Sequence, residues 1–266
     1  MNMPLLLDKT AVIVRRDLLT AVRYRMGFLL SAAGAITELA AFYYLSRAVG
    51  PGFRPGGLEF FSFLLVGTGF FTFLLMGVHS FLQTVQEAQQ TGTLEVLMTT
   101  STSPSVLVFL SAMSAFAANT FALLFYLAAG LLFGAPLHPN LAASVPIFLL
   151  SVIIAISIGL LAAALQLAIQ KGSAVVWALG SVWFLTGTMF PVQTLPKPLR
   201  DVAQLIPITH SLEGMRLALL EGASFRAVSH ELIILTAFGL VLVPASLLFF
   251  SWTLRRARIE GTLSFY

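Results

Sequence analysis

Six long blocks of apolar residues constrain this chain more than any other feature of its sequence. A bilayer core about 30 Å thick requires a helix of about 20 mostly apolar residues, and several blocks reach that length. Charged residues make up only 10% of the 266 residues, too few to cover the surface of a soluble domain. The sequence therefore predicts an all-α integral membrane protein with a single transmembrane domain. The predicted spans are 26–45, 60–83, 105–133, 141–169, 173–190 and 231–254.

A basic amphipathic segment, residues 4–24, precedes the first span. Leu7 and Val14 lie on one face at helical spacing, and Lys9 and Arg16 lie on the other. This pattern predicts a helix that lies in the cytoplasmic interface of the membrane. An ordinary polar N-terminal tail is the alternative that the pattern leaves open.

The placement of Lys and Arg predicts the orientation of the chain, because cytoplasmic loops carry an excess of these residues. With the N-terminus inside, the cytoplasmic segments hold the larger share, and both termini are predicted to be cytoplasmic. The cytoplasmic residues would be Lys9, Arg15, Arg16, Arg23, Arg25, Lys171, Arg255, Arg256 and Arg258, and the outer ones Arg47, Arg54, Lys197, Arg200, Arg216 and Arg226.

The connection between the fifth and sixth predicted spans is rich in proline and too long for a simple turn. Two short apolar faces within residues 195–222 predict two short amphipathic helices. Pro207 would separate them and Gly222 would end the second. We expect these helices to be re-entrant, dipping into the outer leaflet or covering the outer mouth.

A stripe of small residues runs along the predicted fourth span. Ser151, Ala155, Gly159 and Ala163 recur every four residues. Such a stripe allows another helix to approach closely, so it predicts helix packing within the chain or between subunits.

No motif for catalysis or nucleotide binding is found. The phosphate-binding loop G-x-x-x-x-G-K-[ST] is absent, and "QKGSA" at 170–174 has the lysine without the upstream glycines. No metal-binding cluster of His and carboxylates lies on one helix face, and the sequence has no cysteine. We therefore expect no catalytic residue, no metal and no cofactor bound by the chain itself, and no nucleic-acid partner.

The polar stretch "QQTGTLEVLMTTSTSP" (89–104) lies between the second and third predicted spans, on the cytoplasmic side. Leu94, Leu97 and Met98 form a ridge at helical spacing, with Glu95 beside it, and Gly92 allows a change of direction before it. A two-turn helix of this kind fits a groove on another protein. Spacing alone predicts a docking helix, with bounds at 87–100.

Two segments carry a resemblance to a known family. "EAQQTGTLEVLMTTSTSPSVLVF" (87–109) resembles the segment of type-2 ABC export permeases that contacts the ATP-binding subunit. "GTMFPVQTLPKPLRDVAQLIPITHSLEGMRLALLEG" (187–222) resembles the outer re-entrant region of the same family. By this resemblance the coupling residues are Glu87, Gly92, Thr93, Leu94, Glu95, Leu97 and Met98, and the outer gate candidates are Phe190, Pro191, Pro207, His210 and Arg216.

The resemblance implies the membrane-spanning subunit of an ATP-driven exporter in the plasma (inner) membrane of a prokaryote. ATP and Mg would be bound by a separate ABC ATP-binding subunit. A second permease copy is expected as a partner, with a homodimer favoured over a heterodimer, together with membrane lipid. The expected substrate is a drug, a lipid or a lipid-linked glycan, and the sequence does not choose among them.

Several residues within the spans are candidates for a transport pathway. Glu38 is a carboxylate deep in the first predicted span, and an acid at that depth is either functional or a hydrogen-bonded structural group. Asn119 either belongs to the pathway or forms a hydrogen bond between helices. The aromatic candidates, which either line a path or face lipid, are Phe70, Phe73, Trp177 and Trp183.

Two other functions are compatible with a multi-span chain. An ATP-independent secondary transporter or channel would use Glu38, but such folds usually carry more buried charges and a two-half repeat, which we do not find here. An intramembrane enzyme would require a cluster of catalytic groups, and the sequence has none that is convincing.

Overall fold

The computed structural model describes residues 25–91, 104–169 and 180–260, and every regular element within these ranges is helical. The predicted interfacial helix at 4–24 lies outside the described residues. So do residues 92–100 of the predicted docking helix and residues 173–179 of the predicted fifth span.

Seven α-helices make up the described part of the chain. Four of them contain stretches long and apolar enough to cross a membrane, namely Leu29–Val49, Phe60–Gln90, Leu141–Ile169 and Ser229–Ala257. The all-helical class is confirmed, and the count of six spans stays a prediction. The helices are α1 Arg25–Val49, α2 Phe60–Gln90, α3 Pro104–Leu132, α4 Leu141–Ile169, α5 Lys197–Gln204, α6 Pro207–Leu220 and α7 Ser229–Glu260.

The second helix, α2, forms the centre of the bundle. In its most apolar stretch 78% of the residues are buried, against 11% for α1 and 22% for α7. Its Phe73 ring stacks on Phe148 of α4 at 5.2 Å between centroids and meets the edge of Phe116 of α3 at 5.8 Å. Because α3, α4 and α6 all pack against α2, a displacement of α2 affects most of the core.

Close approach between α2 and α4 depends on the predicted small stripe. Ser151, Ala155, Gly159 and Ala163 are all buried. A Cβ on Gly159 would lie 2.6 Å from Cδ2 of Phe81, so the missing side chain makes room for that ring. The packing role of this stripe within the chain is confirmed.

The end of α2 corrects one predicted boundary. The second span was expected to end near 83 and a separate docking helix to begin at 87, but α2 continues as one helix to Gln90. Residues 84–90 contain neither glycine nor proline, so nothing interrupts the backbone hydrogen bonds. Glu87 therefore lies on the last turns of α2, where its carbonyl accepts hydrogen bonds from the backbone N–H and side-chain hydroxyl of Thr91.

The fifth predicted span, 173–190, is wrong at its C-terminal end. The α-helical conformation ends at Ser181, a 3₁₀ turn spans Val182–Phe184, and the chain then bends up to Phe190. Gly187 adopts a φ of 76°, which a helix does not allow. Tertiary contacts described below hold this segment in its irregular conformation.

Two helices occupy the connection before α7, as the sequence predicts. Pro207 is the first residue of α6, where its missing N–H costs no hydrogen bond. Beyond the end of α6, Gly222 has a φ of 63° and turns the chain back, and the Ala223 N–H donates to the Leu217 carbonyl at 3.0 Å. We call α5, α6 and the segment 186–196 the α6 cap, because together they cover one end of the bundle.

We expect Gly159→Val to destabilise the fold by about 1–3 kcal/mol, because the added side chain overlaps the Phe81 ring in a packed core. Thermal unfolding of the purified chain in detergent measures the effect. Gly239→Val is the matched control, since a Cβ there meets nothing within 4 Å. Equal loss of stability in the two variants would contradict the packing argument.

Candidate functional site

A cleft of about 460 Å³ lies between α1, α2 and α3, and we call it the Glu38 cleft. Its walls are mostly apolar, and Glu38 is the one charged residue among the described residues that line it. α1 supplies small residues to the wall, so the cleft stays open beside that helix. α2 and α3 line the other side of the cleft with Gly69, Thr72, Phe73, Asn119 and Tyr126.

Glu38 lies near the middle of α1. It is about 20 Å along the helix from Arg25 and roughly 16 Å from Val49, at 1.5 Å per residue. Its side chain is accessible from the cleft, and within the described residues its carboxylate has no salt bridge and no hydrogen bond. A carboxylate at this depth without a partner in its own chain is a candidate ligand-binding group.

Tyr126 and Asn119 come from α3 and face the same cleft. The Tyr126 hydroxyl is buried, interacts electrostatically with Glu38, and has no hydrogen-bond partner among the described residues. Gly69 allows this arrangement, because a Cβ there would lie 2.7 Å from Cδ1 of the Tyr126 ring. The cleft therefore combines one carboxylate with two polar groups from α3, which lie about 10 Å apart along that helix.

The aromatic pathway candidates have different locations. Phe70 and Phe73 are only 2% and 3% exposed, so the alternative that these rings face lipid is wrong. Phe73 lines the Glu38 cleft, whereas Phe70 lines a separate apolar cavity of about 230 Å³ beside α3, α4 and α6. Trp183 is half-buried in the 3₁₀ turn next to Phe184, and Trp177 lies outside the described residues.

Arg216 is the centre of the second site, in the α6 cap. The residue is 7% exposed, and the central carbon of its guanidinium lies 3.6 Å from the centroid of the Phe63 ring. Nη2 donates to the Thr188 carbonyl at 2.8 Å, and Nε donates to the Phe63 carbonyl at 3.4 Å. These contacts join α6 to α2 and to the irregular segment that replaces the end of the predicted fifth span.

Gly67 makes the position of Arg216 possible. A Cβ on Gly67 would overlap Arg216 Nη2 and lie 2.5 Å from the Thr188 oxygen. Burial lowers the pKa of Arg216 to about 9, while the charge of Glu213, one turn earlier, opposes that shift. The guanidinium therefore stays protonated at neutral pH although it is buried.

His210 links the cap to α7. Its Nδ1 lies 2.7 Å from Oε2 of Glu231, and its Nε2 lies 2.9 Å from the Gln204 carbonyl. A carbonyl only accepts, so Nε2 donates, and an ionised Glu231 requires Nδ1 to donate as well. The hydrogen bond to Glu231 raises the pKa of His210, which burial opposes.

A cavity of about 260 Å³ with both polar and apolar walls lies beside these groups. Glu213 borders it and accepts a hydrogen bond from Gln193 at 3.2 Å, and burial raises the pKa of this carboxyl. Thr209 also lines the cavity, and its buried hydroxyl has no partner among the described residues. The cap is therefore a polar structure on an otherwise apolar bundle.

The structure brings some of the predicted gate residues together and separates others. Pro207, His210 and Arg216 all belong to α6, whereas Phe190 and Pro191 lie in the segment before α5, with the Phe190 side chain half-exposed. The partners that position these residues could not be recognised from the sequence, since none of them lies on the same element as the residue that it positions. The missed partners are Phe63, Gly67, Thr188, Gln204 and Glu231, and in the cleft Gly69 and Tyr126.

Long apolar helices around a buried aromatic core define the chain as a multi-pass membrane protein. A family model described as "ABC-2 family transporter protein" matches residues 52–248, most of the chain, and the chain belongs to this family. The predicted resemblance to type-2 ABC permeases is thereby confirmed. A search of the curated proteins returned no match.

Family membership makes the chain a membrane permease component of an ABC transporter, not its nucleotide-binding subunit. It also implies a partnership with an ABC ATP-binding subunit. Within the described residues no group of three or more His, Asp or Glu side chains is placed to hold a metal ion. The two sites described above are thus candidates for binding and gating.

We expect Gly67→Ala to displace the Arg216 guanidinium and to lower the free energy of unfolding by about 1–3 kcal/mol. Thermal unfolding in detergent measures this loss. Gly27→Ala, also in a helix but with nothing within 4 Å of the added carbon, is the control and is expected to be neutral or stabilising. An unchanged melting temperature in Gly67→Ala would mean that the cap adjusts without cost.

We expect the stability of the cap to decrease as the pH rises above about 6.5. The pKa of His210 is higher in the folded state than in the unfolded state. The stabilisation that protonated His210 provides is therefore complete below its unfolded-state pKa, and it is lost as the pH rises through its folded-state pKa. The pKa of Glu213 is also raised, so ionisation of this carboxyl likewise lowers the stability as the pH rises, and it does so beginning at a lower pH. The pKa of Arg216 is about 9, so this residue loses its proton only near that pH.

The measurement is the difference in melting temperature between pH 6.5 and pH 8.5 for wild type and for His210→Gln. A charge-assisted hydrogen bond contributes about 1.5–3 kcal/mol, so its loss should lower the melting temperature by several degrees. His210→Gln should be less stable at pH 6.5 and should show a smaller pH dependence. His138→Gln, at an exposed histidine, is the control, and an unchanged pH dependence in His210→Gln would rule out this bond as its source.

Proposed function

We propose that the chain is the membrane-spanning subunit of an ATP-driven exporter for a hydrophobic or amphipathic molecule. The observation that carries the proposal beyond the family is the Glu38 cleft, which is apolar on most of its wall and carries a few polar groups, Glu38 among them. A water-soluble substrate would find few hydrogen-bond partners there, whereas an amphipathic one would have both an apolar surface and a polar contact. A drug, a lipid and a lipid-linked glycan remain the candidate substrates.

The ATP-binding subunit would dock on the segment that follows α2, at the residues assigned by resemblance. Glu87 is exposed on the last turns of α2, at the end of that helix remote from the α6 cap. Gly92, Leu94, Glu95 and Leu97 would form the docking surface beyond it. A force applied there would act on the buried central helix, which borders both the Glu38 cleft and Arg216.

A second copy of the permease would complete the transporter. α1 and α7 are the least buried of the four apolar helices, and their outer faces carry large exposed apolar residues such as Leu30, Tyr44 and Leu248. These faces suit lipid and the apolar surface of another copy. We favour a homodimer, in which two copies of this chain would bind two ATP-binding subunits.

The proposed orientation places both termini in the cytoplasm of a prokaryotic cell and the α6 cap on the outer side. The excess of Lys and Arg in the terminal segments supports this orientation. Phe190, Pro191 and the α6 residues would then lie at the outer mouth. Movement of α2 relative to the cap would break or remake the Arg216 contacts and thereby gate the exit.

Glu38 also favours a second candidate function, an ATP-independent transporter. The carboxylate is accessible and has no salt bridge or hydrogen bond within the described residues, as a proton- or ion-coupled mechanism would require. This alternative predicts transport by the chain without an ATP-binding subunit.

Co-purification from the native membrane in gentle detergent tests the proposal. We expect an ATP-binding subunit to accompany the wild-type chain and to be lost from Leu94→Asp/Leu97→Asp, because two buried charges weaken docking by at least about tenfold. The matched control is Leu199→Asp/Leu205→Asp, two exposed leucines in and just after α5. Recovery of wild type alone, with transport that persists without ATP, would support the ATP-independent alternative.

A further inference from the structure

We infer that the Glu38 cleft binds a lipophilic organic cation, with Glu38 as its counter-ion. The inference rests on the proposed function and narrows its substrate from any amphipathic molecule to one that carries a positive charge. The cleft and its chemistry belong to this chain alone, so the inference can be tested separately from ATP-driven transport.

The charge of the cleft selects the ligand. Among the described residues of the lining Glu38 is the one charged group, and these residues supply no Lys, Arg or His to neutralise it. An anionic ligand would meet a like charge in a poorly solvated space, and a neutral ligand would leave the carboxylate without a partner. A cation supplies the missing partner, and its charge compensates for the solvation that the carboxylate loses at this depth.

The shape and walls of the cleft select an apolar body for that cation. Its volume of about 460 Å³ falls within the range of small-molecule sites, and most of its wall is carbon. The aromatic rings of Phe73 and Tyr126 border the space that holds Glu38. Aromatic faces attract organic cations, and this attraction increases where water is excluded.

Tyr126 gives a second, independent indication that the cleft holds a ligand. The residue is 7% exposed, and its hydroxyl has no hydrogen-bond partner among the described residues. A buried hydroxyl without a partner costs about 1–3 kcal/mol, so such groups are usually paired. A polar group of a ligand that reaches this hydroxyl would satisfy it.

The neighbouring helices are built to leave this space open. α1 presents Ser31, Gly34 and Ala35 to the cleft, and larger residues there would close it. On the opposite wall Gly69 allows the Tyr126 ring to lie against α2. The small residues of α1 and α2 thus define the cleft, and Glu38 defines its charge.

Tetraphenylphosphonium and tetraphenylborate provide the test, because they match in shape and differ in the sign of their charge. Each is measured separately by equilibrium dialysis against the purified complex in detergent. We expect the phosphonium to bind and the borate not to bind. Glu38→Gln should weaken phosphonium binding at least about tenfold, whereas Asp201→Asn, at an exposed acid on α5, should leave it unchanged.

A second measurement uses the wild-type chain and so does not depend on the folding of a variant. A hydrophobic carbodiimide modifies carboxyl groups in apolar surroundings, and mass spectrometry reports the modified fraction of Glu38. Tetraphenylphosphonium should protect Glu38 from modification, and tetraphenylborate should not. Equal binding of both ions, no protection by the phosphonium, or unchanged affinity in Glu38→Gln would overturn the inference.

The outcomes also separate this inference from the proposed function. If the ATP-binding subunit co-purifies but phosphonium binding does not depend on Glu38, the cation site is overturned and the exporter stands. If binding depends on Glu38 but no ATP-binding subunit is ever recovered, the cation site stands and the exporter is overturned.

Discussion

The buried guanidinium of Arg216 is the interaction on which the α6 end of the bundle depends. Burying a cation this deeply lowers stability unless its hydrogen-bond donors have acceptors. Here two backbone carbonyls accept hydrogen bonds from the guanidinium, and the face of the Phe63 ring packs against it. The arrangement requires a glycine at position 67, because any side chain there would occupy the space of the guanidinium. One charged residue thus fixes the position of α6, the path of the segment around Thr188, and a glycine near the first end of the central helix.

The central helix connects three features that lie at different heights along it. Gly67 and Phe63 meet Arg216 at one end, Gly69 and Phe73 border the Glu38 cleft, and Glu87 lies at the other end. Close packing of α3, α4 and α6 around this helix leaves little room for independent movement of its parts. A displacement applied at one end would therefore be transmitted along the whole helix, as coupling between docking and gating requires.

The helices could be predicted because each long apolar block has one stable solution in a bilayer, whereas their exact ends depend on contacts between elements. α2 continues past its expected end because residues 84–90 contain no helix-breaking glycine or proline. The helix that was predicted to reach 190 ends at Ser181, because the Thr188 carbonyl accepts a hydrogen bond from Arg216 instead of from a helical N–H. His210 and Arg216 were recognised as candidates by resemblance. Their partners Glu231 and Phe63 are distant in sequence, and no local pattern indicates such a pair.

Arg216 and Glu38 are both charged residues in an apolar bundle, but they differ in the partners that surround them. The bundle surrounds Arg216 with acceptors and an aromatic ring, and the residue is only 7% exposed although it borders the cavity of the α6 cap. Glu38 has an open cleft beside it and neither a hydrogen bond nor a salt bridge within the described residues. A structural acid would be expected to have partners of the kind that Arg216 has, since an unpaired carboxylate at that depth lowers stability. The absence of such compensation, next to a hydroxyl that also lacks a partner, is what distinguishes a binding group from a structural one.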